Sequence, residues 1–395
     1  MRENAYPLSI KLRKSVAERG IEISENATVA KYQLRDIDNQ YIYVANIAPI
    51  IYNRYTMNIW VDGLLNDPMG RVRGAGSFST MFYEAMAQYG KKYNLFSSRI
   101  ASDVYLHTQF SPFKPLPYKE GRKNVLVIFD ALLLKYPARF PAGIRGNLQW
   151  WMNKLFLKKY DGFLTISETS RTEISNIMGI EPEKIQNIGC AAKKIFYEDQ
   201  SNTETKLPFE LPTSFILYVG DVTWNKNLVR FAKAVVQTQI PTVLVGKALT
   251  ERVDPANKWT EDLVLFNEYV KKYPGLFTII GNISDGELVE VYKKSNGVCL
   301  PSLDEGFGLP WLEGALLNKP LIVSDISIFR EISKGTSLYF DPYTVDSMAS
   351  GLRSLMEITP EQNQVMIQNQ RKQALEFTQE AFISKLSQRL FAILK

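Results

Sequence analysis

The stretch Pro301-Ser-Leu-Asp-Glu-Gly-Phe-Gly-Leu-Pro-Trp-Leu-Glu313 decides the reading of this chain. It follows Gly297-Val-Cys-Leu300, a short apolar run of the kind that forms a buried strand, and it leads into a helical pattern. Gly306 and Gly308 let the backbone bend tightly between the two. Pro310 suits the first helical turn, whose N–H groups lack intrahelical partners. Those N–H groups and the positive end of the helix dipole favour an anion such as a phosphate. Two carboxylates bracket the turn: Glu305 precedes the helix, and Glu313 lies about one turn inside it on the same side. Glu305 can then accept hydrogen bonds from sugar hydroxyls and Glu313 from a ribose. The competing reading is a solvated helix glutamate behind an ordinary strand-to-helix connection.

With Pro-Ser before it and Gly-Phe-Gly-Leu-Pro inside it, the Glu305-x7-Glu313 pattern resembles the donor-site signature of the retaining glycosyltransferases of family four. That resemblance implies the GT-B architecture, an α/β fold of two Rossmann-like domains whose parallel sheets face a central cleft. It also implies donor contacts from Glu305, Gly306, Phe307, Gly308, Leu309 and Glu313. The implied activity is transfer of a hexose-type sugar from a UDP- or GDP-linked nucleotide sugar to a glycan, lipid-linked or protein-linked acceptor. Retention of anomeric configuration is implied, with no metal or other cofactor.

Three further segments carry the resemblance. Tyr218-Val-Gly220 followed by Trp224-Asn-Lys-Asn227 is similar to the family element ending in Arg-Lys-Asn, which assigns Gly220 and Lys226 to the diphosphate and leaves Asn225 where the family has arginine. Ile280-Gly-Asn-Ile-Ser-Asp285 is similar to the loop that receives the base, implicating Asn282 and Ile283, while Ser284 and Asp285 are natural helix caps. Val125–Ala131 matches a strand that ends in His-Asp in the family. Asp130 is retained there, but Phe129 replaces the histidine and cannot make its hydrogen bond. Gly74-Ala-Gly76 matches a family glycine loop, with Gly76 the stronger candidate for phosphate contact. The expected catalytic set is Glu305, Lys226 and Asp130.

At 395 residues, 45% of them hydrophobic, the chain suits two domains. Cys190 and Cys299 are the only cysteines, so neither a disulfide framework nor a thiolate metal site is expected, and a reducing cytoplasm fits. His107 is the single histidine, which excludes multi-histidine metal sites and directs catalysis to carboxylates, backbone groups or the substrate. No secretion signal or membrane-spanning segment is expected. Residues 1–200 hold 27 Lys+Arg against 19 Asp+Glu, and the rest 20 against 22, so the first half suits either an anionic partner or a merely solvated basic face. Phe140–Tyr160 mixes basic and aromatic residues. It fits peripheral contact at the inner face of a membrane or a helix packing its aromatic side inward, and the inward helix is the expectation. No nucleic-acid-binding module is present.

Along the chain, residues 1–200 read as an N-terminal Rossmann-like acceptor domain with 1–56 as an elaboration. Residues 201–375 read as the nucleotide-sugar domain, and 376–395 as a terminal helix with room to cross back to the first domain. Strands are expected at 57–63, 104–107, 124–129, 162–166, 215–219, 242–245, 277–280, 297–300 and 321–324, alternating with helices. Ser9–Gly20 has helical spacing, and Tyr41–Tyr52 can supply a strand. Asp36-Ile-Asp38 sits in a polar setting that suits a solvated turn rather than a metal site. Two rivals remain: a noncatalytic sugar-nucleotide-binding or chaperone subunit, motivated by Phe129 and Asn225, and a sugar-nucleotide epimerase, which one histidine disfavours.

Overall fold

The computed structural model describes residues 32–35, 41–44, 57–62, 74–97, 102–108, 110–198, 205–251, 259 and 261–394. Met1–Tyr55 and Thr56–Lys395 are separate compact units. In the first, β1 (Tyr32–Arg35) and β2 (Tyr41–Val44) pair antiparallel, Tyr32 opposite Val44. The helical spacing over Ser9–Gly20 and the pair Asp36 and Asp38 lie outside the described residues.

The second unit holds two six-stranded sheets whose strand pairs are all parallel. One comprises β3 (Met57–Asp62), β4 (Leu95–Ser97), β5 (Val104–His107), β6 (Lys123–Val127), β7 (Gly162–Thr165) and β8 (Ile185–Asn187), in the order β4-β3-β5-β6-β7-β8. Its connections carry α1 (Gly74–Tyr89), α2 (Leu132–Lys135), α3 (Gly143–Leu157) and α4 (Glu168–Met178). The other comprises β9 (Ile216–Val219), β10 (Thr242–Val245), β11 (Phe277–Ile280), β12 (Gly297–Leu300), β13 (Leu321–Ser324) and β14 (Leu338–Phe340), in the order β11-β10-β9-β12-β13-β14. It carries α5 (Leu228–Thr238), α6 (Glu261–Lys272), α7 (Asp285–Lys294), α8 (Leu309–Leu316), α9 (Ser327–Ser333) and α10 (Val345–Met356). α11 (Pro360–Ala374) and α12 (Gln379–Leu394) end the chain.

The strand order explains the sequence pattern. Every residue of β5, β7, β10, β12 and β13 is buried, because helices cover both faces of a parallel sheet and leave no solvent face to alternate. In the second sheet the order reverses between β9 and β12, and a ligand crevice opens where that happens, outside the carboxyl ends of the strands. The segments after β9 and β12 are Gly220–Lys226 and Pro301–Leu309.

The two sheets are tied together through α1 and α12. Phe382 of α12 packs edge-on against Phe78 and Phe82 of α1 at 5.7 and 6.0 Å, and Gln379 Nε2 donates to Glu84 Oε2 at 2.9 Å. One apolar cluster runs from Phe78 and Phe82 through Cys190 and Phe196 to Tyr292 and Trp311. His107 is a core residue: it is fully buried, its Nε2 lies 3.0 Å from Asn124 Oδ1, and the rings of Tyr105 and Tyr160 flank it.

Two local expectations change. α1 starts at Gly74, so Gly74 and Gly76 occupy the first turn of the helix rather than a loop before it. First-turn residues need no i→i−4 hydrogen bond, so glycine is tolerated there. α3 packs its aromatic residues inward only in part: Trp150 lies against the core of the first sheet, and the others do not. Trp151 and Phe156 are exposed, and the fully buried residues of that helix are Gly146, Asn153 and Leu157.

Candidate functional site

A cavity of about 560 Å³ lies between the carboxyl ends of the two sheets. Eleven of the twelve residues singled out from the sequence line it: Asp130 from the first sheet; Gly220 and Lys226 after β9; Asn282 and Ile283 after β11; Glu305, Gly306, Phe307, Gly308 and Leu309 after β12; and Glu313 on α8. Gly76 does not, although its neighbours Ser77 and Phe78 do. The position of Gly76 in the first helical turn, where it is buried, explains the difference.

The loop after β12 is held in shape from every side. Gly308 is the N-cap of α8 at φ 92°, a left-handed conformation that suits glycine, and a Cβ there would lie 2.6 Å from the Phe329 ring. Gly306 abuts the other sheet so closely that a Cβ would meet the Phe129 carbonyl oxygen at 2.9 Å. Its own carbonyl accepts from Ser167 Oγ at 2.8 Å and from Ser170 Oγ at 3.1 Å, at the start of α4. Gly308 and Leu309 therefore bring the positive end of α8 to the cavity wall.

The charged groups sit around that wall. Lys226 Nζ is ion-paired with Glu305 Oε1, which also accepts from Ser302 Oγ at 2.7 Å; neither side chain is more than one-fifth exposed. An ammonium already held by one carboxylate is positioned to meet a second anion without searching rotamers. Glu313 is not a solvated helix residue: it is 6% exposed and its Oε2 accepts from the Tyr292 hydroxyl at 2.9 Å. Burial pushes its carboxyl up to about 7, against the Tyr292 hydrogen bond and Lys193, both of which favour the ionised form. Asp130 is pushed up to about 6, first by removal from water and then by the Glu305 and Asp304 carboxylates, while its hydrogen bond from the Leu132 N–H acts the other way.

Asn225 and Phe129, where the family pattern is broken, have structural partners. Asn225 is buried; its Nδ2 donates to the Asp304 carbonyl at 3.0 Å and its own carbonyl accepts from the Leu303 N–H at 2.7 Å. It clamps the loop after β12 and brings no charge to the cavity. The Phe129 ring packs on Phe78 at 4.8 Å and gives the cavity an apolar wall.

Sequence reasoning missed the groups that join the two sheets around the cavity. Asp304 Oδ2 pairs with Lys135 Nζ at 2.5 Å and accepts from the Tyr136 hydroxyl at 2.8 Å. Glu331 of α9 accepts from the N–H groups of Glu168 and Thr169 at the start of α4, both at 2.8 Å. Lys193 Nζ meets Asp285 Oδ1 at 2.6 Å. These partners are 92 to 169 positions apart in the chain, so no local pattern announces them.

Residues 199–373 match the model of the family described as glycosyl transferases group 1. The chain is 25% identical over 238 residues to the O-antigen chain mannosyltransferase RfbU of Salmonella typhimurium, a match covering 60% of this chain and 62% of that protein. It is 26% identical over 246 residues to the serotype-specific mannosyltransferase WbdA of Escherichia coli, covering 60% of this chain and 29% of that protein. The chain thus spans less than two thirds of either relative's own length. Among solved structures, Anabaena Alr3699/HepE in complex with UDP and glucose superposes with a TM-score of 0.60 at 13% identity, covering 85% of this chain and 100% of that one. Sucrose-phosphate synthase from Thermosynechococcus elongatus superposes with a TM-score of 0.57 at 18% identity, covering 80% and 78%.

Proposed function

From the premise that this chain belongs to the group 1 glycosyl transferases and has the GT-B fold, we propose that it moves a hexose from a nucleotide-diphosphate sugar to a glycan, lipid-linked or protein-linked acceptor, with retention of configuration. One observation carries the reading: Lys226, Glu305, Glu313 and the start of α8 converge on a single cavity at the point where the strand order reverses.

In this reading the diphosphate meets Lys226 Nζ and the N–H groups of Gly308 and Leu309, which stabilise negative charge as the bond from the sugar C1 to the phosphate oxygen breaks. Glu305 fixes the sugar hydroxyls, Glu313 accepts from the ribose, and the loop at Asn282 and Ile283 receives the base. Asp130 approaches the sugar from the opposite sheet. The acceptor hydroxyl forms the new bond to C1 on the face the phosphate leaves, and its proton passes to the departing phosphate oxygen. Closure of the two sheets around the cavity keeps water from taking the acceptor's place.

The names of RfbU and WbdA make a nucleotide-linked mannose the first donor to test, and the HepE complex with UDP-glucose makes a UDP-linked glucose the second. A thermal-shift panel of nucleotide sugars, followed by NMR of the product linkage, tests the proposal. A donor-dependent shift that disappears in Glu313→Ala, with an anomeric configuration matching the donor, is the expected result; an inverted product would overturn the stereochemistry. A second reading, a binding subunit without transfer, is favoured by the apolar wall that Phe129 forms with Phe78. Donor binding with no product across a broad acceptor panel would select it.

A further inference from the structure

We infer that the outer face of α3 docks this protein onto an anionic lipid bilayer. Ile144, Leu148, Trp151 and Leu155 recur at i, i+4, i+7 and i+11, one stripe along the helix, and they are 91%, 57%, 61% and 53% exposed. Met152 and Phe156 widen the stripe on one side. A surface helix normally turns such a face to the core, and this one does the reverse. Its inner side presents Gly146 and Asn153, and Asn153 Nδ2 donates to the carbonyls of Pro112 at 2.9 Å and Lys114 at 2.8 Å. These bonds, one buried and one partly buried, hold the helix with its apolar side outward, because rotating it would take the amide away from two carbonyls.

Charge identifies the occupant. Residues 131–160 contain Lys135, Arg139, Arg145, Lys154, Lys158 and Lys159 and no Asp or Glu. At about 100° per residue, Lys154 and Lys158 fall on one flank of the stripe and Arg145 and Lys159 on the other. Lys159 Nζ lies 4.6 Å from the centre of the Phe156 ring and Lys154 Nζ 5.4 Å from that of Trp150, so the ammonium groups ride beside the apolar surface. An apolar stripe with cations on both flanks matches acyl chains below and anionic headgroups beside them. A protein partner would need acidic groups to answer every flank.

The same helix, though not its apolar stripe, also lies near the site. Ala142, Gly143, Asn147 and Trp150 line a second cavity, of about 330 Å³, which shares Leu133 and Phe140 with the first. A docked bilayer would therefore lie on the side of the molecule from which the first sheet is reached. The docking does not depend on what the main cavity transfers.

Flotation of the whole chain with vesicles of phosphatidylcholine alone, and of equal parts phosphatidylcholine and phosphatidylglycerol, tests the inference without reference to activity. The wild type should float with the anionic vesicles and far less with the neutral ones. Lys154→Glu/Lys158→Glu should lower that partition at least about twentyfold, since each cation near an anionic leaflet is worth about fivefold. Leu148→Ala/Trp151→Ala should abolish it. All four side chains are exposed, so an unchanged melting temperature and circular dichroism spectrum will separate lost docking from lost folding. Wild-type protein that stays at the bottom with both vesicles would overturn the inference, as would either variant floating like the wild type. A dimer that Trp151→Ala converts to monomer without vesicles would assign the face to a second copy instead.

Discussion

Replacing Glu313 by glutamine should make the protein more stable and a poorer donor binder. Burial holds the Glu313 proton from the ordinary 4.5 up to about 7. In the unfolded chain the carboxyl ionises first, so the folded state binds more protons between those pH values and stability falls as pH rises through the window. At about 1.4 kcal/mol per pH unit, the ionised carboxylate costs about 3 kcal/mol above pH ~7 and nothing below ~4.5. Glutamine cannot ionise, yet its amide oxygen can still accept from the Tyr292 hydroxyl. Glu313→Gln should therefore exceed the wild type by up to about 3 kcal/mol at pH ~8 and match it within about 0.5 kcal/mol at pH ~4.5. Asp130 has the same sign of effect, from 3.8 to about 6, but it is present in both proteins and cancels in the difference. Urea unfolding across that pH range, followed by tryptophan fluorescence, measures this; Trp311, two residues before Glu313, is fully buried and reports on α8. Above pH ~7, where the carboxyl is ionised, donor affinity should fall about tenfold, because the ribose loses a charge-assisted acceptor. Wild-type and variant stability curves that run parallel from pH ~4.5 to ~8 would refute the buried-carboxyl argument, whatever the binding result.

Other perturbations follow from the same geometry. Lys226→Met should weaken nucleotide-diphosphate binding by about 1.5–3 kcal/mol in calorimetry while leaving nucleoside binding nearly unchanged, because only the diphosphate meets the ammonium. Gly308→Ala should destabilise by about 1–3 kcal/mol, from its left-handed φ and the 2.6 Å approach to Phe329, and adding Phe329→Leu should recover the steric part but not the backbone part. Lys135→Met combined with Tyr136→Phe removes both side-chain partners of Asp304 across the cavity. It should raise the radius of gyration in small-angle scattering and KM more than kcat; an unchanged scattering curve would mean that the remaining contacts, from Glu331, Lys193, Ser167, Ser170 and α12, suffice to hold the two sheets.

What was legible in the sequence is what is local in the chain. β10, β11, β12 and β13 fall on their expected residues because short apolar runs bounded by turns admit few other buried structures. The loop after β12 could be placed because its glycines, proline and both acids lie within thirteen consecutive residues. Burial was less legible. Whether Glu313 is solvated depends on Tyr292, 21 positions earlier, and on the packing of α7 against α8, which no spacing rule encodes. Asp304 stood in full view between Leu303 and Glu305, yet its partners come from α2 and the residue after it, on the opposite sheet.

α3 shows the limit most clearly. Its periodicity defines an apolar stripe, but a stripe has no sign: the same residues would serve a helix buried against the first sheet and one facing a bilayer. Direction is set by the other side of the helix. Asn153 in the sequence is one polar residue among aromatics, and only the carbonyls of Pro112 and Lys114 make it the inward anchor. Once an amide is committed there, turning Trp151 and Leu155 inward would carry it away from the Pro112 and Lys114 carbonyls and leave those acceptors without their donor. The polar contact, worth little by itself, therefore decides where the largest exposed apolar surface of the helix points.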